Sequence, residues 1–235
     1  MLKKWSLGLV FVLSIAACAP SAVSIRPEDK AGIKTIAILQ IEEPQLRMLN
    51  LGSGMAAMGA VGGAAIAAGD ESQKLFNELK KNKFSFRDQL TRDLKNQLKK
   101  VGYKTIVVKV KRADVRSLLG DYSKLRIKNA DAILDVVVTN YGYVTEHFLF
   151  SPHWRPEARA FVAMAKPMGT QVIYQDTMMY GYHNPLMSGV ELDASPAFHF
   201  AEQDDVFKAG SKKIISGLKD ASLKIAMQIS SSLSK

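Results

Sequence analysis

The residues able to do chemistry are few and scattered. The only histidines are His147, His153, His183 and His199, and none forms H-E-x-x-H or another compact ligand spacing, so no metal site is expected. Glu146-His147 and His153 could converge with His183, but loop and surface positions account for all four. Ser53 lacks the G-x-S-x-G pattern of a nucleophile elbow. Gly52-Ser53-Gly54-Met55-Ala56-Ala57 fits the dinucleotide pattern G-x-G-x-x-A, with Asp70 and Glu71 roughly where a ribose-binding acid would sit. That match lies well past the strand it should follow directly, in a stretch where small residues make chance matches common. A G-K-[ST] phosphate loop is missing, and spacing pairs no two carboxylates for acid–base work. The expectation is no catalytic residue, no metal and no cofactor: a binding or assembly protein, not an enzyme.

The thiol is different. Cys18 is the only cysteine, so no intramolecular disulfide can form. It follows Lys3, Lys4 and the apolar run Leu7 to Ser14, a charged n-region and a short h-region that match a secretory signal and fall short of a membrane span. Ile15-Ala16-Ala17-Cys18 resembles the lipobox of bacterial lipoproteins, in which a branched apolar residue and two small residues precede an invariant cysteine. The resemblance implies cleavage between Ala17 and Cys18, a diacylglyceryl group on the sulfur and acylation of the freed amine. Several acyl chains give stable anchoring where one gives only marginal binding. An ordinary signal cut after Ala19 is the alternative, disfavoured by Pro20 behind the cut. Ala19 in place of Asp resembles outer-membrane sorting in enterobacterial lipoproteins. Residues 18–30, with Pro20 and Pro27 and no periodicity, read as a lipidated tether.

Removing residues 1–17 from the 235 leaves 218, enough for one domain over 31–235. Apolar residues at 47% permit a core, and charged residues at 23% argue against wholesale disorder. The formal charge of +10 falls to about +8 without Lys3 and Lys4, an excess that would attract anionic lipid or cell-wall polymer. Export separates the chain from nucleic acid, which is not an expected partner.

Asn50 to Gly69 carries no charge. Gly52, Ala56, Ala60, Ala64 and Ala68 put a small residue at every fourth position, and Gly59, Gly63 and Ala67 form a second row. On a helix these rows make a flat packing or membrane face, as in small-xxx-small packing. Glycine is a poor helix former, and Gly and Ala are weakly apolar. Two readings stay open: a loop-helix beside the folded domain, or a segment that enters a membrane or self-associates.

His147 to Pro156 concentrates Phe148, Phe150, Trp154 and Arg155, and Tyr180 to Phe200, a long irregular stretch with Pro185 and Pro196, adds Tyr182, Phe198 and Phe200. Aromatic and Arg residues carry much interface energy. Trp154 and Arg155 are therefore the candidate partner-binding residues, with ordinary packing over a sheet as the alternative.

Positioning these residues falls to a mixed set of elements. Ile33–Ile41 reads as a buried strand ended by Pro44. Ser72–Lys81 reads as a short helix. Ser85–Val101 reads as a helix with Ser85 as N-cap, apolar residues from Phe86 to Val101 on one face and Gly102 beyond its end. Lys104–Val110 is a strand and Arg112–Leu119 a short helix. Asp131–Tyr143, Ala158–Lys166 and Gln171–Tyr182 are strands, the last two joined by Pro167-Met168-Gly169-Thr170. Gln203–Leu233 is one long helix. The result is an α/β (α+β) fold: a mixed sheet of about five strands with helices packed on it.

This order resembles the α/β domain shared by the curli-secretion lipoprotein and the lipoprotein activator of penicillin-binding proteins, which is similar to the amino-terminal domain of the Tol translocation protein TolB. The opening strand, the helix ending at Gly102-Tyr103, the Ala130-Asp131-Ala132-Ile133 strand start and the hairpin around Gly169 carry the likeness. It implies a non-enzymatic outer-membrane lipoprotein with a periplasmic domain that binds or assembles with envelope proteins, in secretion, transport or cell-wall synthesis. A cell-wall or lipid ligand-binding module is the alternative, and an envelope hydrolase the third.

Overall fold

The longest strand organises the molecule. A computed structural model describes residues 22–50, 70–145, 153–182 and 188–234. In it a strand over Ala132–Thr145 is flanked on both sides. Named in chain order, the strands are β1 (Thr35–Leu39), β2 (Gln45–Asn50), β3 (Lys104–Val108), β4 (Ala132–Thr145), β5 (Trp154–Ala165), β6 (Val172–Tyr180) and β7 (Val190–Leu192). The helices are α1 (Pro27–Lys30), α2 (Asp70–Lys81), α3 (Phe86–Lys100), α4 (Gln203–Lys208) and α5 (Gly210–Leu233).

The sheet order is β3-β1-β4-β5-β6-β7. β1 and β2 lie end to end along one edge of β4, both parallel to it: Ile36 faces Ala132, and Gln45 faces Asn140. β5 and β6 are antiparallel to their neighbours, through the hairpin expected around Gly169. The α/β class with a mixed sheet and a long carboxyl-terminal helix is as expected. Seven strands replace about five, because β2 and β7 were not anticipated.

α3 matches its signals. Ser85 accepts the Asp88 amide at 3.2 Å, Lys99 and Lys100 sit in the last turn, and Phe86, Leu90, Leu94 and Leu98 are fully buried. α5 buries Ile214, Leu218, Ala221, Ile225 and Ile229 along the same face of the sheet. Gly217 lets the two layers close: a β-carbon there would come within 2.7 Å of the Tyr143 hydroxyl.

Three expectations are corrected. Gln203–Leu233 is two helices, broken at Ala209 where Gly210 takes φ +81°. Arg112–Leu119 is not helical: Asp114 takes the Arg116 amide (2.9 Å) and the Ser117 hydroxyl (2.6 Å) into a local turn that competes with a helix start. The tether, from Val23 onward, is docked. Val23 pairs with Gln175 of β6, and the half-helix α1 places Asp29, 6% exposed, between Arg26 (2.9 Å) and Lys166 (3.0 Å).

The second face of the sheet is covered differently. Residues 109–130 cross it without regular structure and bury Tyr122 against Leu39, Ile133, Ala163 and Ala165. Their anchor is Asp135 on β4, fully buried. It binds both terminal nitrogens of Arg112, accepts the Leu119 amide at 2.9 Å and accepts the Tyr122 hydroxyl at 3.0 Å.

Candidate partner-binding groove

A groove of about 690 Å³ opens between the start of β2 and the turn joining α2 to α3. Its apolar wall comes from Pro44, Leu46, Leu79, Phe84 and Phe76, with Tyr141 of β4 also lining it. Phe76 is the telling residue. It stands beside Leu79, at the margin of the buried stripe of α2, and it is 48% exposed. An aromatic ring left half in water beside an apolar concavity is the kind of feature that interfaces use as an anchor.

Local chemistry fixes the rim. α2 is tied to β2 where the Met48 amide donates to Ser72 Oγ at 3.0 Å. Ser85 serves twice: its oxygen caps α3, and its hydroxyl donates to Glu43 at 2.9 Å. Arg87 adds Glu43 at 3.8 Å and Asp88 at 2.9 Å. Its hydrogen bond holds the Asp88 carboxyl below the ordinary range. Burial, with Glu43 nearby, pushes the Tyr141 hydroxyl well above its ordinary value, so this lining group stays neutral.

α2 ends in a Schellman turn: Phe84 N–H donates to the Leu79 carbonyl (3.0 Å) and Lys83 N–H to that of Lys80 (3.0 Å). The left-handed position in this motif usually belongs to Gly or Asn. Here it holds Lys83, with φ +53°. A side chain in that conformation costs backbone energy, and the residue tolerated there puts an ammonium on the rim, one turn from Lys80. The groove thus offers an apolar interior, two cations and one carboxylate.

The residues singled out in the sequence lie elsewhere. Trp154 is 5% exposed, the first residue of β5, bound through both backbone groups to Phe200 (2.7 and 2.9 Å). It belongs to the core between sheet and helices, so its candidacy as a partner contact is corrected. Its neighbour Arg155 is half-buried on the strand's other side. β5 begins four residues before its expected start because Pro156 lies beyond the β6 ladder, which opens at Ala158, and there a missing N–H is tolerated. The Trp154–Phe200 bridge brings His153 and His199 together, with stacked rings 6.3 Å apart. Burial, then the Arg155 and His153 charges, lowers the His199 pKa. Nothing in the spacing of these two histidines announces the contact. Cys18, Ala17, Gly52, Ala56, Gly59, Ala60, Gly63 and Ala64 lie outside the described residues, as do His147 and His183. Among the described residues no group of three or more His, Cys, Asp or Glu could hold a metal ion, and no helix is long and apolar enough to cross a membrane.

The groove itself escaped sequence reading because its lining comes from three separate stretches, 43–46, 72–85 and Tyr141. The usable signal was Phe76, an aromatic residue at the margin of the apolar stripe of an amphipathic helix.

No protein-family model matches the chain, and no curated protein does. Among solved structures it is similar to the neuraminyllactose-binding hemagglutinin homolog from Helicobacter pylori, at 12% identity and a TM-score of 0.42, over 92% of this chain and 90% of that one.

Proposed function

We propose that this chain is a non-catalytic lipoprotein of the outer membrane, held by acyl groups on Cys18, whose periplasmic domain binds other envelope proteins. The groove beside Phe76 is the docking place. The observation that carries the reading is an exposed aromatic ring in an apolar groove, with Lys83 kept at its rim in a conformation that favours glycine. The lipobox-like Ile15-Ala16-Ala17-Cys18 supports the anchor.

A photo-crosslinking residue at position 76, introduced in intact cells, should capture a discrete envelope protein. The same residue at position 227, on exposed α5 surface, should not. Capture at neither position, or equal capture at both, counts against the groove. Mass spectrometry of the mature amino terminus tests the anchor separately: an unmodified residue 18 removes it.

A cell-wall or lipid ligand is the second reading, favoured by Lys80 and Lys83 on the rim. Pull-down on peptidoglycan at low and high salt separates the two, since electrostatic retention is lost as salt rises.

A further inference from the structure

Among the described residues the sheet ends on one side at β3, an edge that the groove does not use. β3 pairs with β1 alone, in parallel register from Thr35–Lys104 to Leu39–Val108. Lys104 N–H donates to the Lys34 carbonyl, and the Val108 carbonyl accepts from Gln40. Residues 104, 106 and 108 therefore turn their backbone groups toward β1. Thr105 and Val107 turn theirs outward, because consecutive residues of a strand alternate sides. Among the described residues no strand lies beyond them.

Among the described residues nothing shields this edge. Ile106 is 36% exposed and Val107 46% exposed, and they stand on opposite faces of the strand. The sheet carries apolar side chains one strand past the core on both faces, where an added strand would cover them.

The charge carried by the edge strand itself has one sign. Lys104 opens β3, and Lys109 and Lys111 follow it. Residues 94–113 contain no acid. None of these three lysines makes an ion pair among the described residues. Edge lysines repel a second copy of the same strand, which is one way proteins prevent self-pairing. The same lysines attract a strand of opposite charge.

We infer that the free edge of β3 receives an extended, acidic segment of a partner protein, which adds as a further strand. Thr105 and Val107 supply the main-chain hydrogen bonds, Ile106 and Val107 pack against alternate side chains, and the lysines pair with Asp or Glu of the segment. This surface does not depend on the reading of the groove or of the anchor.

The probe is a synthetic peptide with Val or Ile at alternate positions and Glu between them. Its controls carry Lys for Glu, or Pro at the centre. With the purified full chain, fluorescence anisotropy at low salt should show binding of the acidic peptide only, and amide exchange at Thr105 and Val107 should slow. Val107→Pro removes one outward donor and leaves every bond to β1 in place, so the fold persists while affinity falls about tenfold. A Lys104→Glu, Lys109→Glu double variant should weaken the acidic peptide and admit the lysine peptide. Failure of the acidic peptide to bind, or binding that Val107→Pro leaves unchanged, overturns the inference. So does a dimer of the chain that Val107→Pro dissolves, since that gives the edge to a second copy.

Discussion

One sheet is covered by two unlike materials. On one face α2, α3 and α5 lay apolar stripes on the strands; on the other, residues 109–130 form an irregular cover. A helix satisfies its own backbone and needs only a surface to bury. An irregular cover brings unpaired amides and carbonyls, and the protein must satisfy them some other way. Asp135 does this on the loop face, where one carboxylate organises Arg112, Leu119 and Tyr122. The helix face has many modest contributors and the loop face one large one, so the two should fail differently.

The largest expected effect follows. Asp135→Ala leaves the Arg112 guanidinium, 2% exposed, buried without its carboxylate. Breaking a buried pair in this way costs about 3–5 kcal/mol. Leu218→Ala, a cavity beneath α5, should cost about 3 kcal/mol. Urea midpoints measure both. The comparison sharpens with hydrogen exchange: residues 109–130 should lose protection in Asp135→Ala while α3 keeps its own. Equal loss across both faces would mean that the loop cover is not a separate unit.

Tyrosines give a smaller, pH-dependent contrast. Burial, helped by Asp135, raises the Tyr122 hydroxyl well above its ordinary value of 10.0, and burial raises Tyr143 on the helix face. A folded-state value above the unfolded one means that the stabilisation is complete below about pH 10. It is then lost as the pH rises, by up to about 1.4 kcal/mol per pH unit for each residue. Tyr122→Phe and Tyr143→Phe should therefore flatten the alkaline decline alike. They should differ at neutral pH: Tyr122 donates to a buried carboxylate and its loss should cost about 2 kcal/mol, while Tyr143 donates to the Ile214 carbonyl (3.1 Å) and should cost about 1. Equal costs at pH 7 would break the contrast.

The same division decides what could be read from sequence. α3 was legible to its caps because Ser85, the spacing from Phe86 to Leu98, and Gly102 all act within one element. The loop cover was misread because Asp114 resembles a helix start and closes a turn instead, and because its true organiser, Asp135, sits in a strand far along the chain. β2 was missed because Gln45–Asn50 is short and lies between Pro44 and an uncharged stretch, with its partners about 95 residues away. Trp154 looked like a loop aromatic because Pro152 and Pro156 bracket it, and only pairing with Phe200 reveals a strand. A further case is Gly142, φ +148°, where a β-carbon would strike the Arg47 carbonyl. It stands between Arg47 and Glu157 in register, and that gap lets their side chains pair across β4.

The smallest effect concerns the helix face at the groove. Lys83 holds a left-handed conformation in which a side chain costs roughly 1 kcal/mol relative to glycine. Lys83→Gly should therefore raise the unfolding free energy by about 0.5–1 kcal/mol, a gain for deleting a side chain that makes no ion pair among the described residues. If the ammonium serves a partner in the groove, the same variant should weaken capture at position 76. Lys83→Asn, easier in that conformation than lysine but less so than glycine, should gain less stability and weaken capture equally. A variant that gains stability with capture unchanged would reduce Lys83 to a surface charge. A variant that loses stability would show that the turn, and with it the groove's rim, is held by something other than the α2 Schellman bonds.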